Sequence, residues 1–391
     1  MVFFTASEKE ILDGRTTDIY FVNTLEALKN GGKDRDKVVA EFTADTFPQG
    51  YPWAVFCGLE EFVTLFEGRD ADVYAMDEGT VFVNKDKKRI RAPVAYVEGP
   101  YGSFCEFETP ALGLICQSSG IATKSARIKK LAENKTVLSF GIRRMHPAIA
   151  PMIDRSAYIG GCDSVSSITG AETIGRAPVG TMPHALVVMF GDQRAAWRAF
   201  DETADRSMAR IALVDTYYDE KAEALLAYGT LGKNLDGVRL DTPSSRRGKI
   251  EDIVAEVRWE LGIRGFEARI IVSGGVDEDE VLKLRDLVDG FGVGTCISNA
   301  PSINFAMDIV EKEGKPVAKR GKLGGKKQWF RCEHCYNFEV LPWGAEPPMC
   351  CGEEMRPMLK KVVGHGKRLH APKSATEIHD YVLKQLEKVE A

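Results

Sequence analysis

Between Leu213 and Thr295 the chain repeats one local design four times. Leu213-Val-Asp215-Thr-Tyr, Val238-Arg239-Leu-Asp241-Thr, Ile271-Val-Ser273-Gly274-Gly275 and Phe291-Gly292-Val-Gly294-Thr295 are each a short apolar run ending in polar or glycine-rich residues. Residues 220–228, 250–261 and 279–288 carry helical spacing between or beside these runs. Strand–helix alternation of this kind predicts a parallel sheet with right-handed crossovers, closed or open. In an α/β barrel the chemistry gathers where strands give way to loops at their C-terminal ends. Glycine, having no Cβ, lets backbone N–H groups approach a phosphate closely there. The pattern points to an enzyme acting on a phosphorylated sugar.

The preceding chain extends the same reading. Residues 109–133 fit one helix, 137–140 a strand and 149–158 a helix. Before them lies an α+β segment, with strand-like runs at 38–43, 74–76, 80–83 and 94–97 and a helix near 58–66. Asp277, with Glu280 three residues on, fits a capping box. From about Pro316 the chain becomes Gly- and Lys-rich, then cysteine-rich, and ends in a helix near 374–388. The expected division is therefore 1–108, 109–310 and 311–391.

With 391 residues the chain has ample material for a large core. No stretch approaches the ~18 apolar residues of a membrane span, and the opening Met1-Val-Phe-Phe-Thr is too short an apolar run for a signal peptide. Nine cysteines, five of them scattered in apolar settings, predict a reduced, cytoplasmic protein. Residues 311–370 hold 13 Lys+Arg against 7 Asp+Glu, a local net charge of +6, so the remainder carries −11 of the total of −5. A solvated surface or subunit contact explains that segment better than nucleic acid does.

Several constellations suit chemistry. Cys332-Glu-His-Cys335 and Cys350-Cys351 offer four soft ligands for a structural zinc, with His334 as an alternative ligand. Phe140-Gly-Ile-Arg143-Arg144 ends a strand with two cations able to clamp a carboxylate or phosphate, and with a ring face for a flat heteroaromatic. His184, in Gly180-Thr181-Met-Pro-His184, opens a helix whose dipole favours neutral imidazole, which suits a nucleophile. Asp215 and Asp241 could bind Mg²⁺ or ribose hydroxyls, and Arg239 shares a face with Asp241. The loop Ser244-Ser-Arg246-Arg247-Gly could hold a pyrophosphate or merely cap the next helix. No GxxxxGK[ST] and no GxGxxG after a strand occurs, so neither a Walker-type nucleotide site nor a dinucleotide site is supported.

These motifs, in this order and over nearly the whole chain, resemble the nicotinate phosphoribosyltransferases, in particular the archaeal-type branch with a C-terminal zinc-binding domain. Thr17-Asp18-Ile-Tyr20 is similar to the family's N-terminal motif, and Ser119-Gly120-Ile-Ala-Thr to a helix shared with quinolinate phosphoribosyltransferases. The resemblance implies an incomplete (β/α) barrel of the type II phosphoribosyltransferase kind, an N-terminal α+β sandwich and a small zinc-ribbon-like C-terminal domain. It implies nicotinate mononucleotide and pyrophosphate made from nicotinate and phosphoribosyl pyrophosphate in NAD salvage, with ATP as co-substrate through a phosphohistidine on His184. Tyr20 and Phe140 would stack on the pyridine, and Arg143, Arg144 and Arg239 would face the nicotinate end, with Thr181 beside them. Asp215 and Asp241 would serve ribose, Mg²⁺ and charge stabilisation. Ser273, Gly274, Gly275, Gly292, Gly294 and Thr295 would cradle the 5′-phosphate. Asp163 falls where nicotinamide-using relatives place an amide acceptor. Tyr20 would come from a neighbouring subunit, so the resemblance also implies a homo-oligomer built on a dimer with shared active sites, up to a hexamer.

Three other readings compete. A sister enzyme would use nicotinamide or quinolinate, although quinolinate demands a denser cationic lining and needs no phosphorylatable histidine. A barrel aldolase or isomerase would want a lysine or base at a strand end, and the four strand ends quoted carry no lysine. A zinc-ribbon nucleic-acid-binding protein is opposed by the acidic remainder of the chain.

Overall fold

A computed structural model describes residues 3–206, 208–243, 245–246 and 248–390. The chain groups into two compact units, residues 1–123 with 301–390 and residues 124–300. This differs from the three-segment division read along the sequence. The C-terminal residues join the N-terminal unit, and the helix Glu108–Ala132 runs across the first boundary.

The first unit is built on a seven-stranded antiparallel sheet. Its order is Lys315–Pro316, Phe305–Lys312, Lys37–Ala44, Pro93–Pro100, Asp72–Ala75, Lys360–Gly364, Lys367–Arg368. The helix Leu59–Phe66 buries Leu59, Phe62, Val63, Leu65 and Phe66. The Phe62 ring meets Phe42 edge-on, with centroids 5.2 Å apart, a geometry worth about 0.5–1.5 kcal/mol beyond area burial. Glu41 is buried on the same sheet but not unpartnered. Lys327 Nζ lies 2.8 Å from its carboxylate and the Tyr96 hydroxyl donates to it at 2.7 Å. Appended to this unit is a small ribbon, with Lys327–Arg331 between Phe338–Pro342 and Arg356–Pro357, and a hairpin of Met349–Cys350 and Glu353–Glu354.

The second unit holds the alternating strands and helices. Its strands are, in chain order, β1 Thr136–Ser139, β2 Ser164–Val165, β3 Ile211–Leu213, β4 Gly237–Leu240, β5 Arg269–Ser273 and β6 Gly290–Val293. All pairings are parallel, in the order β2-β1-β6-β5-β4-β3. Read around a circle, that is the consecutive order of a barrel with one junction, β2 to β3, unjoined among the described residues. The fold of this unit is thus an incomplete (β/α) barrel. β3 and β6 are buried along their whole length, as parallel strands covered on both faces must be.

The chain between β2 and β3 forms three helices, Ile168–Thr173, His184–Phe190 and Gln193–Thr203. The last lies against β3, where the buried Trp197 donates its indole N–H to Leu213 O at 3.3 Å. The helices Glu220–Leu231, Ile250–Gly262 and Glu278–Leu284 follow β3, β4 and β5. Asp277 does cap the last of these, accepting from Glu280 N–H at 2.9 Å. The reciprocal half of the expected capping box is replaced, because the Glu280 carboxylate pairs with Lys283 at 2.7 Å.

Candidate active site

The C-terminal ends of β3, β4 and β5 are tied together by the residues that end them. Asp241 N–H donates to Asp215 Oδ2 at 2.8 Å, and Ser273 Oγ donates to Asp241 Oδ1 at 2.9 Å. Arg239 stands two residues before Asp241 on β4, so their side chains share a face. Its Nη2 is 3.9 Å from Asp241 Oδ2 and donates to Met182 O at 3.2 Å. That contact draws the segment Thr181–His184 onto the strand ends. His184 begins its helix there, with Nε2 3.8 Å from Asp215 Oδ1 and 3.7 Å from Asp241 Oδ2. Its Nδ1 lies 3.1 Å from Thr216 Oγ1.

Charge within this cluster is incompletely matched. Burial pushes the Asp215 carboxyl up to about 7, and the neighbouring Asp241 and Glu220 charges push it the same way. The Asp241 N–H and the Arg239 guanidinium oppose the rise. Burial lowers Arg239, the Asp241 and Asp215 charges resist, and the charge of Arg143 adds to the lowering. Arg143 is thereby placed within electrostatic reach of Arg239. Among the described residues, Asp215 Oδ1, Arg239 Nε and Thr181 Oγ1 are buried polar atoms without a hydrogen-bond partner. Such atoms cost about 1–3 kcal/mol each when left unpaired. A ligand that supplied partners would recover that cost.

Across the sheet, β1 and β6 supply the ring and the turn. The Phe140 N–H donates to Val293 O at 2.8 Å. A Cβ added at Gly292 would sit 2.6 Å from the Phe140 ring. Gly292 therefore has a packing role beside the phosphate contact expected of it. It lies within β6, paired with Ser273 on one side and Leu138 on the other, and its missing side chain makes room for Phe140. Gly292→Ala is expected to lower unfolding free energy by about 1–3 kcal/mol through overpacking, measurable as a lowered urea midpoint with unchanged slope. Gly274 and Gly275 take positive φ of 85° and 73°. A Cβ at Gly274 would meet Asp241 Oδ1 at 2.8 Å, whereas the space beside Gly275 is open. The space beside Gly294 is nearly so, with Phe140 O at 3.9 Å its nearest neighbour. Thr295 begins the short helix Thr295–Ser298 just beyond. Arg143 and Arg144 are exposed on the turn Ile142–Arg144.

Asp163 is not brought to this cluster. Its carboxylate pairs with Lys129 Nζ at 2.8 Å and accepts from Val137 N–H at 2.7 Å, which puts it near the N-terminal start of β1. With Lys129 as partner it is an internal tie, not the amide acceptor expected from its motif. Tyr20 belongs to the other unit, on the helix Ile19–Asn30, and is 56% exposed. Of the loop after β4, Ser244 and Arg247 lie outside the described residues, while Arg246 pairs with the buried Glu220.

Three carboxylates escaped the sequence reading. Glu223, fully buried, gathers N–H groups of the loop after β3. Glu220 accepts from Thr242 Oγ1 at 3.0 Å. Asp154, also fully buried, joins Ser139 Oγ at 3.3 Å to Ser167 N–H at 3.1 Å. Glu220 and Glu223 were visible only as acids in a helix's first turn, a common surface pattern. Asp154 sits mid-helix with no local signal.

In the ribbon, the sulfur atoms of Cys332, Cys335, Cys350 and Cys351 all lie within 4.8 Å of one another and could hold a metal ion. Cys351 has a φ of 52°, which is how two adjacent residues aim at one centre. His334 is not in the group.

An open-seamed parallel α/β barrel in a chain that also carries an α+β unit is the architecture of the type II phosphoribosyltransferases. Residues 18–119 match the family described as quinolinate phosphoribosyl transferase, N-terminal domain, and residues 121–308 match its C-terminal domain. A Pyrococcus furiosus structure described as a nicotinate-nucleotide pyrophosphorylase is 49% identical, covers all of both chains and superposes with a TM-score of 0.96. A nicotinate phosphoribosyltransferase of Mycobacterium tuberculosis is 32% identical over 77% of this chain and 65% of its own length. One from Bacillus subtilis is 28% identical over 77% of this chain and 68% of its own. The chain thus spans about two thirds of the length of these bacterial relatives. Human nicotinic acid phosphoribosyltransferase shares the fold at a TM-score of 0.74 and 19% identity, covering 96% and 94% of the two chains. The chain belongs to the quinolinate phosphoribosyltransferase-like family, the type II phosphoribosyltransferases, among relatives named nicotinate phosphoribosyltransferases. No described helix is long and apolar enough to cross a membrane.

Proposed function

We propose that the protein is a nicotinate phosphoribosyltransferase, forming nicotinate mononucleotide and pyrophosphate from nicotinate and phosphoribosyl pyrophosphate, with ATP hydrolysis coupled through His184. The observation that carries this reading is the cluster of His184, Asp215, Asp241 and Arg239 at the strand ends. The 49% identical structure is named for a nicotinate nucleotide and the bacterial relatives for nicotinate itself, which supports the same reading.

The chain's residues would divide the work as follows. Phosphoribosyl transfer proceeds through positive charge developing at C1 of the ribose as pyrophosphate departs, and the pyridine nitrogen takes that carbon. The protein contributes mainly position and electrostatics. Asp215 and Asp241 place negative charge beside the ribose end. Arg239 and Arg143 face the nicotinate carboxylate, with Arg144 and Thr181 on the neighbouring segments. Phe140 offers a ring face, held at its height by Gly292. Ser273, Gly274, Gly275, Gly294 and Thr295 take the 5′-phosphate, with Gly275 giving the open approach. The exposed Tyr20 is available to stack on the ring in a partner's site, in a homodimer.

The unpartnered Asp215 Oδ1 and the nearby Asp241 Oδ2 fit a hard divalent cation, so these two carboxylates would hold Mg²⁺ with the substrate phosphates. When bound, Mg²⁺ neutralises phosphate charge. The four sulfur atoms fit zinc. A tetrahedral ion with Zn–S of about 2.3 Å requires S···S edges of about 3.8 Å, and the Cys335–Cys350 and Cys350–Cys351 pairs stand at 3.6 and 3.9 Å.

The test is product formation from phosphoribosyl pyrophosphate and Mg²⁺ with nicotinate, nicotinamide or quinolinate, each with and without ATP. Nicotinate mononucleotide made preferentially from nicotinate, and raised by ATP only while His184 is intact, is the expected result. Turnover of quinolinate or nicotinamide in its place would overturn the substrate assignment and the role of Arg143.

A further inference from the structure

We propose that Glu223 is the positioning residue for His184 and acts in the phosphoryl-transfer half of the reaction, an inference that rests on His184 being the phosphoryl acceptor. Glu223 is fully buried and has no ion-pair partner among the described residues. Both of its oxygens act as acceptors. Oε2 receives Thr216 N–H at 3.0 Å, while Oε1 receives Tyr217 N–H at 2.7 Å, Tyr218 N–H at 2.9 Å and Gln193 Nε2 at 3.0 Å. Placing an unpaired carboxylate in a protein interior is costly unless hydrogen bonds replace its water. Here four donors do so, and they come from two separate segments.

One of those segments touches His184 and the other continues the chain beyond its helix. Thr216 is held through its own N–H while its hydroxyl reaches His184 Nδ1 at 3.1 Å. Gln193 opens the helix that follows the His184–Phe190 helix across Gly191 and Asp192. One carboxylate therefore ties the strand-end loop that carries Thr216 to the helix that directly follows the His184 helix. Arg239 holds the backbone just before His184 through Met182 O, and the Thr216 hydroxyl lies against Nδ1, on the other side of the ring from the carboxylates near Nε2.

The step that depends on this geometry is transfer from ATP. The bond between the γ-phosphorus and the β–γ bridging oxygen breaks, phosphorus bonds to the imidazole nitrogen carrying the lone pair, and ADP leaves with the electron pair. In-line displacement is sensitive to placement, and a displacement of about 1 Å can cost on the order of 100-fold. Glu223→Gln keeps the shape but turns an amide N–H₂ toward backbone donors. Thr216→Val removes only the hydroxyl and leaves Glu223 and its hydrogen bonds in place.

Phosphoenzyme formation from γ-labelled ATP should be followed on the full chain, alongside nicotinate mononucleotide formation without ATP. Both variants are expected to slow phosphoenzyme formation by about 10- to 100-fold and ATP-free turnover by less than about threefold. In a His184→Ala background neither substitution should lower product formation further. Equal losses in both assays would show Glu223 to be a general structural tie and overturn the proposal, as would unchanged phosphoenzyme formation. Should Glu223→Gln fail to fold, Thr216→Val decides alone. An unsubstituted protein that forms no phosphoenzyme would defeat the reading of His184 itself, and that result is read before any variant is made.

Discussion

Asp215→Asn is expected to give a protein that is more stable than the natural one above pH 7 and that turns over about a thousandfold more slowly, the scale on which a preorganised charge at a reacting centre acts. The two effects have one cause. Asp215 is buried against Asp241 and Glu220, which lifts its carboxyl to about 7. In the unfolded chain the same group titrates near its ordinary value of 3.8. Below that value both states are protonated and the site is neutral for stability. Between there and about 7 the folded state keeps a proton that the unfolded state has lost, so stability falls as pH rises and levels off once the folded group ionises. The shift corresponds to about 4 kcal/mol at most. Asparagine carries no such liability. Its stability curve, measured by urea unfolding without Mg²⁺, should separate from that of the natural protein across pH 4–7 and lie above it at pH 8. The charge that is unfavourable for folding is the one the reaction uses, the usual tension between stability and activity. Parallel pH–stability curves, or turnover within tenfold of the natural protein, would sink this account of Asp215.

The second large effect is expected on stripping metal from the ribbon. Chelation, or Cys335→Ser, should lower the melting temperature by more than about 10 °C, on the scale of the binding energy of a structural thiolate site. On its cysteine side the ribbon buries Phe330, Cys332 and Met355 with Leu341 and Cys350 beside them, while Trp329, Val340 and Met358 join the main core of the first unit. The cysteine side alone has too little apolar material to hold its shape. The loss should spread. Arg331, next to Cys332, donates to Gln385 Oε1 at 2.7 Å, and the Gln385 amide donates to Gly79 O at 2.8 Å and accepts from Val81 N–H at 3.0 Å. The helix Ala375–Leu386 is thus fastened through the same residues that frame the cysteines. Trp53, whose indole N–H donates to Glu390 O at 2.6 Å, makes a fluorescence reporter of its release. A protein isolated without stoichiometric metal, and with a melting temperature indifferent to chelator, would refute the structural-metal reading.

Much of the barrel unit was legible because its signals are local. Strand–helix periodicity placed β1, β3, β4, β5 and β6 within a residue or two, and punctuation located Asp215, Asp241, Gly274 and Gly275 just past strand ends. Cysteine spacing named the four cysteines that the fold gathers into a group able to hold a metal ion, though only the positive φ of Cys351 shows how the adjacent pair can share one centre. Other roles were not legible. Asp163 looked like a site residue from its motif, but Lys129, thirty-four positions earlier in the chain, holds it near the start of β1. Gly292 reads as one more phosphate glycine, and its packing role, making room for the Phe140 ring, comes from a residue 152 positions earlier. Glu223 looked like a surface acid and proved to be buried under four donors.

The sequence by itself determined which residues form strands, which end them, and what chemistry those ends carry. Backbone dihedral preferences, side-chain periodicity and ligand spacing are properties of neighbours along the chain. Only the tertiary structure decided that the sheet stays open between β2 and β3, that the C-terminal strands join the N-terminal sheet, and that Arg239 draws the His184 segment onto the carboxylates. Those outcomes rest on contacts between residues tens to hundreds of positions apart, whose energies depend on the burial that the assembled core alone creates.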